Sequence, residues 1–194
     1  HCWDHVKWQD GVGTADPAWT RAEFTKAVQR FREIFGEAPR THGAAGWQMN
    51  GTALALEGEA AMDYASDSRG THPFRPLWQG QELPVLQLPT TLPTLDELIG
   101  ADGISEATVA DHLLGLTQAA DRNHVYTLHA ELEGGKLAPV FERLLSGWKA
   151  QGYQLVATRT LFASLDPATL PRHEIRWGEI PGRSGRLMVQ GQAC

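Results

Sequence analysis

The chain has 194 residues, of which 42% are hydrophobic and 21% are charged, a composition that suits one sizeable globular domain. Its formal net charge of −6 argues against non-specific binding of nucleic acid. The two cysteines, Cys2 and Cys194, lie at opposite ends and make no disulfide framework. No apolar run reaches the ~18 residues that a membrane-spanning helix needs.

The first half of the chain predicts two helices and an extended segment. Asp16 and Pro17 form a helix start, because an aspartate caps the first turn and a proline suits its first position. Apolar residues then recur at helical spacing until Gly36 ends the run. A second helix is predicted over residues 52–62, and the proline-interrupted stretch 84–93 is predicted to be extended.

The second half continues the alternation of helices and strands. A helix is predicted over residues 105–120, with Ser105 as its cap. The β-rich run 125–128 predicts a buried strand. Another helix is predicted over residues 138–152, closed by Gly152.

The last part of the chain changes in character. Residues 153–165 predict one more strand and a short helix. Residues 171–194 are rich in glycine and arginine and are predicted to be irregular. Helices and strands that alternate along the chain in this way indicate an α/β layered or barrel domain with parallel strands.

The first five residues, HCWDH, contain two histidines four positions apart, His1 and His5. If they lie on one helical turn, both imidazoles project from the same face and can bind one metal ion. The spacing alone leaves a second interpretation open, in which both are surface or capping histidines.

Two further residues lie where α/β proteins place catalytic groups. His129 ends the predicted strand 125–128, and Asp67 lies in a polar turn. The carboxyl ends of parallel strands carry functional groups in such folds. The alternatives are a core histidine bonded to backbone and an ordinary turn aspartate.

Six blocks of the sequence together resemble the polysaccharide deacetylase (NodB-homology) family: HCWDHVKWQ, AAGWQ, YASDSRGTHPFRPLW, LPTTLPTLDELIG, VYTLHAELEG and GEIPGRSGRL. The block SDSRGTHPFRP is similar to the deformylases within that family. The resemblance implies an irregular (β/α) barrel, lacking its first strand or strands in this chain. Residues 1–194 would then be the C-terminal two-thirds of a single domain, with 171–194 as its irregular end.

The resemblance also implies a metal-dependent hydrolase that cleaves an amide bond of a sugar. One divalent metal, with zinc expected and manganese, cobalt or nickel as alternatives, would be held by His1, His5 and an aspartate from a strand ahead of them. A second carboxylate from that strand would act as the general base. His129 would be the general acid, and Asp67 would orient it and keep it protonated.

Three more residues are implied as substrate contacts. Trp47 would form one wall of the sugar groove, although Gln48 stands where the deformylases usually carry arginine. Arg69 and Arg75 would bind the phosphate of the substrate, because guanidinium matches phosphate geometry. Surface salt bridges are the alternative role for both arginines.

The implied substrate is undecaprenyl-phosphate-linked 4-formamido-4-deoxy-L-arabinose, which belongs to lipid A modification and polymyxin resistance in bacteria. A cytoplasmic enzyme at the face of the inner membrane is therefore expected, and no nucleic-acid partner. Residues 172–194, with four arginines and two glutamates, would suit an anionic membrane surface or form a solvated tail. The oligomeric state is left open.

Three other functions are compatible with parts of the sequence. The first is deacetylation of another sugar or polysaccharide. The second is a non-catalytic fragment that binds a sugar or a metal weakly. The third is copper binding through an N-terminal histidine, as in lytic polysaccharide monooxygenases, but those proteins are mostly β-sandwiches and the helical periodicity argues against that fold.

Overall fold

The computed structural model describes residues 1–119 and 121–194. The chain divides into two compact units. The first unit contains residues 1–89, 165–179 and 185–194, and the second contains residues 90–164 and 180–184.

Helices of the first unit follow the sequence prediction closely. They are α1 (His5–Gly11), α2 (Pro17–Phe35) and α3 (Gly51–Glu59). The Asp16 side chain accepts a hydrogen bond from the Trp19 amide at 2.8 Å, and Gly36 ends α2 in the left-handed conformation, with φ of 76°. Capping chemistry thus fixed α2 as predicted, while α3 is shifted from the predicted 52–62.

The strands form two sheets, both in the first unit. Strands β1, β2 and β5 make a parallel three-stranded sheet in that order, and strands β4, β3, β6 and β7 make a mixed sheet in that order. The parallel pairing confirms the predicted α/β class, and the described residues form no closed barrel. The strands are β1 (Thr41–His42), β2 (Tyr64–Ala65), β3 (Arg75–Trp78), β4 (Gln81–Glu82), β5 (Leu86–Gln87), β6 (Arg172–Gly178) and β7 (Leu187–Ala193).

The prediction that residues 171–194 are irregular is wrong. They form the antiparallel hairpin of β6 and β7. In β6, His173 and Ile175 are buried while Arg172 and Arg176 are exposed, which is the alternation of a half-buried strand. Only one of the inward residues, Ile175, is aliphatic, so the hydrophobic signal of this strand is weak.

The core of the first unit joins α1 to the residues that precede α3. Trp8 is fully buried, and its indole N–H donates to the Gln48 carbonyl at 2.8 Å. A buried indole whose N–H is hydrogen-bonded packs in the core and also fixes the backbone segment that accepts its hydrogen bond. Other large members of this core include Val12, Phe24, Met49, Leu54, Ile175 and Met188.

The second unit is mainly helical. It contains α4 (Leu95–Leu98), α5 (Val109–Leu116), α6 (Ala138–Ala150) and α7 (Thr158–Ala163). Helix α6 confirms the prediction for 138–152, with Gly152 left-handed after its end. Helix α5 begins after Thr108 and not after Ser105, and Ala120, the predicted last residue, lies outside the described residues. The buried core includes Leu95, Leu113, Leu144 and Trp148.

The strand predicted over residues 125–128 and the strand predicted within residues 153–165 are absent from both described sheets. Val125 does pair with Thr91, whose amide donates to the Val125 carbonyl at 3.0 Å. Leu128, however, is exposed, so the prediction of a buried strand is wrong here. Composition favours extension in this segment, but strand propensity depends on neighbouring strands to pack against. None of the described helices is long and apolar enough to cross a bilayer.

Candidate active site

A buried carboxylate stands at the ends of the three parallel strands. Asp67 follows β2 and has no exposed surface. Its Oδ1 accepts hydrogen bonds from His42 Nδ1 and from the Ala44 amide, both at 2.8 Å, and its Oδ2 accepts from Gln87 Nε2 at 3.0 Å. His42 ends β1 and Gln87 ends β5, so each strand of the sheet contributes one side chain at its carboxyl end.

A second carboxylate, Glu57 of α3, completes this cluster. Its Oε1 lies 2.9 Å from His42 Nδ1, and the side chain is almost fully buried. Burial raises the pKa of Glu57 well above its usual range, and the negative charge of Asp67 raises it further. Glu57 is therefore the protonated member of the pair of carboxyls.

The charges of His42 and Asp67 support each other. Burial by itself would lower the pKa of His42, but the charge and hydrogen bond of Asp67, with Cys2 contributing less, raise it to about 9. Burial would raise the pKa of Asp67, but the charge and hydrogen bond of His42, with hydrogen bonds from Glu57 and Gln87, hold it well below its usual range. The result is a buried ion pair with a neutral acid beside it.

The donor atoms of His42, Glu57 and Asp67 all lie within 4.8 Å of one another, so this group can hold a metal ion by its ligand types. The contacts between them are hydrogen bonds of 2.8 and 2.9 Å, and both oxygens of Asp67 already accept hydrogen bonds from protein donors. The geometry therefore favours a hydrogen-bonded charge cluster. Sequence reasoning missed His42 and Glu57 because neither stands at a recognisable spacing from Asp67.

The rings of His1 and His5 lie close together, as the sequence predicted. The two residues do not share a helical turn, however. Helix α1 begins at His5, Asp4 caps it, and His1 precedes the cap. The two ring centroids are 5.1 Å apart, and both residues are exposed. Imidazoles fit a zinc-type ion, but two are fewer than the three protein ligands of a catalytic zinc site. The pair therefore fits part of a metal site.

His129 has a different carboxylate neighbour from the one predicted. Its Nδ1 lies 3.3 Å from Asp96 Oδ1, an ion-pair distance without the direction of a hydrogen bond. The His129 amide donates to Glu133 Oε2 at 2.9 Å, which anchors its backbone. The sequence assigned Asp67 to His129, whereas the imidazole that bonds to Asp67 is that of His42.

Arg183 is the partner that sequence reasoning missed in the second unit. Its guanidinium donates to Glu97 Oε1 at 2.8 Å and lies 3.0 Å from Asp96 Oδ2. Gly182, with φ of 82°, precedes it, and a Cβ there would clash with the Glu97 backbone. The glycine thus lets the arginine approach α4. The signal in the sequence is the PGRSG turn, in which a glycine directly precedes Arg183.

The three residues predicted to contact substrate, Trp47, Arg69 and Arg75, lie in different environments. Trp47 is buried, and the Arg69 guanidinium lies 4.8 Å from the centroid of its ring, so little of that ring faces solvent as a groove wall would. Arg69 is also buried, and its backbone bonds to β7. Arg75 pairs with Glu82, which is the salt bridge that the sequence left open as the alternative.

No protein-family model matches the chain. Among curated proteins, it is 34% identical over 190 residues to a protein from Shewanella sediminis named as a 4-deoxy-4-formamido-L-arabinose-phosphoundecaprenol deformylase. A protein of the same name from Wigglesworthia glossinidia brevipalpis is 27% identical over 194 residues. Each alignment covers 98% of this chain, which spans 60% of the first relative and 66% of the second.

The fold has a solved counterpart as well. A protein from Mycobacterium smegmatis, described as a polysaccharide deacetylase, matches with a TM-score of 0.62 at 18% identity, over 86% of this chain and 63% of the other. At that identity the match concerns the fold. The relatives and the fold together confirm the resemblance to the deformylases and to the polysaccharide deacetylase fold that the sequence indicated.

The His42–Asp67 ion pair predicts a pH dependence of stability. Because folding raises the pKa of His42 from its ordinary 6.5 to about 9, its contribution is complete below pH 6.5 and is lost as the pH rises through 9. In urea titrations with a chelator present, the free energy of unfolding of the wild type should fall across this range by on the order of 3 kcal/mol more than that of His42→Asn.

The matched control for this measurement is His112→Asn, because His112 is exposed on α5. It should reproduce the wild-type dependence. Parallel pH curves for the wild type and His42→Asn would show that His42 carries no extra proton in the folded state.

Proposed function

We propose that this chain carries part of a metal-dependent amide hydrolase. Its reaction would remove the formyl group from undecaprenyl-phosphate-linked 4-formamido-4-deoxy-L-arabinose. The observation that carries this proposal is the 34% identity to a protein named as that deformylase, over 98% of the chain. The deformylase-like block runs through residues 66–76, which include Asp67 and Arg69 of the described structure.

The metal would be held by His1 and His5, with an aspartate that the resemblance places ahead of them. When bound, a zinc-type ion lowers the pKa of water and polarises the acyl oxygen of the amide. The chain's own contribution here is to hold two imidazoles with ring centroids 5.1 Å apart. The cap of α1 by Asp4, which accepts from the Lys7 amide at 3.1 Å, fixes the helix start that carries His5.

His129 would donate the proton that the leaving amine needs, because an amine leaves readily only when it is protonated. Its Nδ1 lies 3.3 Å from Asp96 Oδ1, and this contact would orient the imidazole. Arg183 binds the other oxygen of Asp96 and so keeps the carboxylate in place. Asp96 and Arg183 would thus be positioning residues for the proton donor.

Asp67 would act as a positioning residue, since it is fully buried. Its bond to the Ala44 amide and its ion pair with His42 hold the turn that leads to Trp47. Arg69 and Arg75 would bind the phosphate. Arg75 is already paired with Glu82, and an arginine committed to a carboxylate has less to offer a phosphate. Arg69 is buried, with its guanidinium over the Trp47 ring.

A contact with the membrane would rest on fewer arginines than the sequence suggested. Arg172 pairs with Glu82, and Arg183 pairs with Asp96 and Glu97. Arg176 and Arg186 are exposed. These two would be the part of the C-terminal segment able to meet anionic lipid, at the cytoplasmic face where the lipid-linked substrate is expected.

The metal assignment is tested on protein expressed from its complete gene. His5→Ala should lose most of the bound metal and nearly all hydrolysis, because an imidazole ligand is removed. Metal content is measured by elemental analysis beside turnover, with His112→Ala as the matched surface control. A His5→Ala protein with wild-type metal content and turnover would refute the assignment.

The proton-donor assignment predicts that His129→Gln retains metal but slows hydrolysis by roughly 10²–10⁴-fold. Asp96→Asn should slow hydrolysis as well, by a smaller factor, because the imidazole of His129 loses the carboxylate that lies 3.3 Å from its Nδ1. The double variant of His129→Gln and Asp96→Asn should be no slower than His129→Gln alone, whereas the losses from His129→Gln and Asp67→Asn should multiply. If the losses from His129→Gln and Asp96→Asn multiply instead, the pairing of His129 with Asp96 is wrong.

The substrate assignment is tested by competition between the formamido-sugar lipid and its acetamido analogue. A pocket shaped for formyl excludes the extra methyl group, and a difference of that size is worth roughly 10–200-fold in kcat/KM. The assay follows release of formate and acetate from the two lipids. Comparable release of acetate would contradict the deformylase proposal and leave a sugar N-deacylase of broader specificity.

A further inference from the structure

A buried carboxylate of the second unit bonds to the backbone of the proposed proton donor. Glu133 is only 2% exposed, and its Oε2 accepts a hydrogen bond from the His129 amide at 2.9 Å. Its Oε1 accepts a hydrogen bond from the Tyr126 hydroxyl at 2.7 Å. A buried carboxylate costs free energy unless its oxygens are hydrogen-bonded, so these two donors are what make the burial of Glu133 possible.

The turn from His129 to Glu133 closes on itself. The His129 carbonyl accepts hydrogen bonds from the Leu132 and Glu133 amides at 2.8 and 3.0 Å, while the His129 amide donates to the Glu133 side chain. Both backbone polar groups of His129 are therefore bound to the turn that follows it. The pattern resembles a capping box, in which a side chain of the first turn bonds back to an earlier amide. It fixes the direction in which the His129 side chain leaves the backbone.

Tyr126 holds the other oxygen of Glu133 and is itself packed against α6. The centroid of its ring lies 5.3 Å from that of Trp148 and 6.5 Å from that of Phe141. Burial, with the hydrogen bond to Glu133 next, raises the pKa of Tyr126 above its ordinary 10, so the hydroxyl keeps its proton and remains a donor. Trp148 belongs to the core of the second unit. The Glu133 carboxylate is thus tied to packed core residues.

The imidazole of His129 depends on this hold on its backbone. Its side chain is 30% exposed, and a partly exposed side chain retains rotamer freedom. Asp96 Oδ1 lies 3.3 Å from Nδ1 without the direction of a hydrogen bond, so that contact alone defines the ring orientation loosely. A general acid must come within about 2.6–3.2 Å of the atom that it protonates. The backbone position that Glu133 sets therefore decides whether the ring can reach the substrate.

We propose that Glu133 is a positioning residue for His129 and that Tyr126 holds Glu133 in place. This rests on the proposed hydrolysis, in which His129 protonates the leaving amine. Glu133 itself would touch neither substrate nor metal. Without its carboxylate, the His129 amide would lose its acceptor, and the turn could relax and carry the imidazole away from the reacting nitrogen. A displacement of about 1 Å can cost roughly 10²-fold in rate.

The test uses protein expressed from the complete gene. Glu133→Ala should lower kcat by roughly 10²-fold with KM and bound metal unchanged, because neither substrate nor metal would contact this side chain. Glu133→Gln keeps an oxygen that can accept from the His129 amide, so it should recover most of the lost kcat. Glu131→Ala is the matched control, since Glu131 is an exposed carboxylate in the same turn, and it should turn over at the wild-type rate.

Two further readouts separate positioning from a general loss of structure. In the His129→Gln background, Glu133→Ala should cause no further loss of kcat. In nitrogen-edited NMR, exchange of the His129 amide proton should become faster in Glu133→Ala and stay slow in Glu133→Gln and Glu131→Ala. Circular dichroism establishes that each variant is folded. Tyr126→Phe, which loses only the hydroxyl, should show a smaller loss of kcat that also vanishes in the His129→Gln background.

The outcomes distinguish the role of Glu133 from the reaction itself. Losses of kcat that multiply in the double variants would overturn the proposal. So would an unchanged exchange rate of the His129 amide in folded Glu133→Ala. A wild-type protein that does not hydrolyse the formamido-sugar lipid would instead contradict the proposed function, while the exchange measurement would still decide whether Glu133 holds the His129 backbone.

Discussion

The buried charge of Asp67 is the constraint on which the first unit depends. An isolated carboxylate without exposed surface would cost several kcal/mol to bury, so the fold must supply positive charge and donors from every side. His42 supplies the charge, and the Ala44 amide and the Gln87 side chain supply donors. These partners come from neighbouring parallel strands and the loop after β1, so satisfying one carboxylate fixes their ends. Glu57 fits beside it only in its neutral form.

The contacts of Asp96 in the second unit, with Arg183 and with His129, are instead partly exposed to solvent. Arg183 and Asp96 both keep part of their side chains exposed, 22% and 36% respectively. Solvent-exposed ion pairs add little to stability, so their value here is one of position. Arg183 takes one oxygen of Asp96 and leaves the other toward His129, whose side chain is 30% exposed. The proposed role of His129 as proton donor requires proton exchange with substrate, and a partly exposed pair would permit this where a sealed cluster would not.

Local signals in the sequence were sufficient for the helices and insufficient for the strands. Helix α2 could be predicted because its cap, its apolar spacing and its terminal glycine are all contained in one segment. The hairpin of β6 and β7 could not, since Ile175 is its only inward aliphatic residue in β6 and arginines alternate with it. Residues 125–128 show the converse. Their composition is β-rich, but they have no partner strand in the described sheets. Strands depend on partners that a local pattern cannot reveal.

The dependence of strands on distant partners also explains which histidine contacts could be predicted from the sequence. His1 and His5 are four residues apart, a spacing at which neighbours in sequence are neighbours in space. His42, in contrast, meets Asp67 because β1 and β2 are adjacent and parallel. His173 meets His72, with their Nε2 atoms 3.2 Å apart, because β6 pairs in parallel with β3, placing His173 beside Pro76. Contacts of this kind are set by the order and register of strands, so a histidine without a partner at helical spacing can still have one that is distant in the sequence.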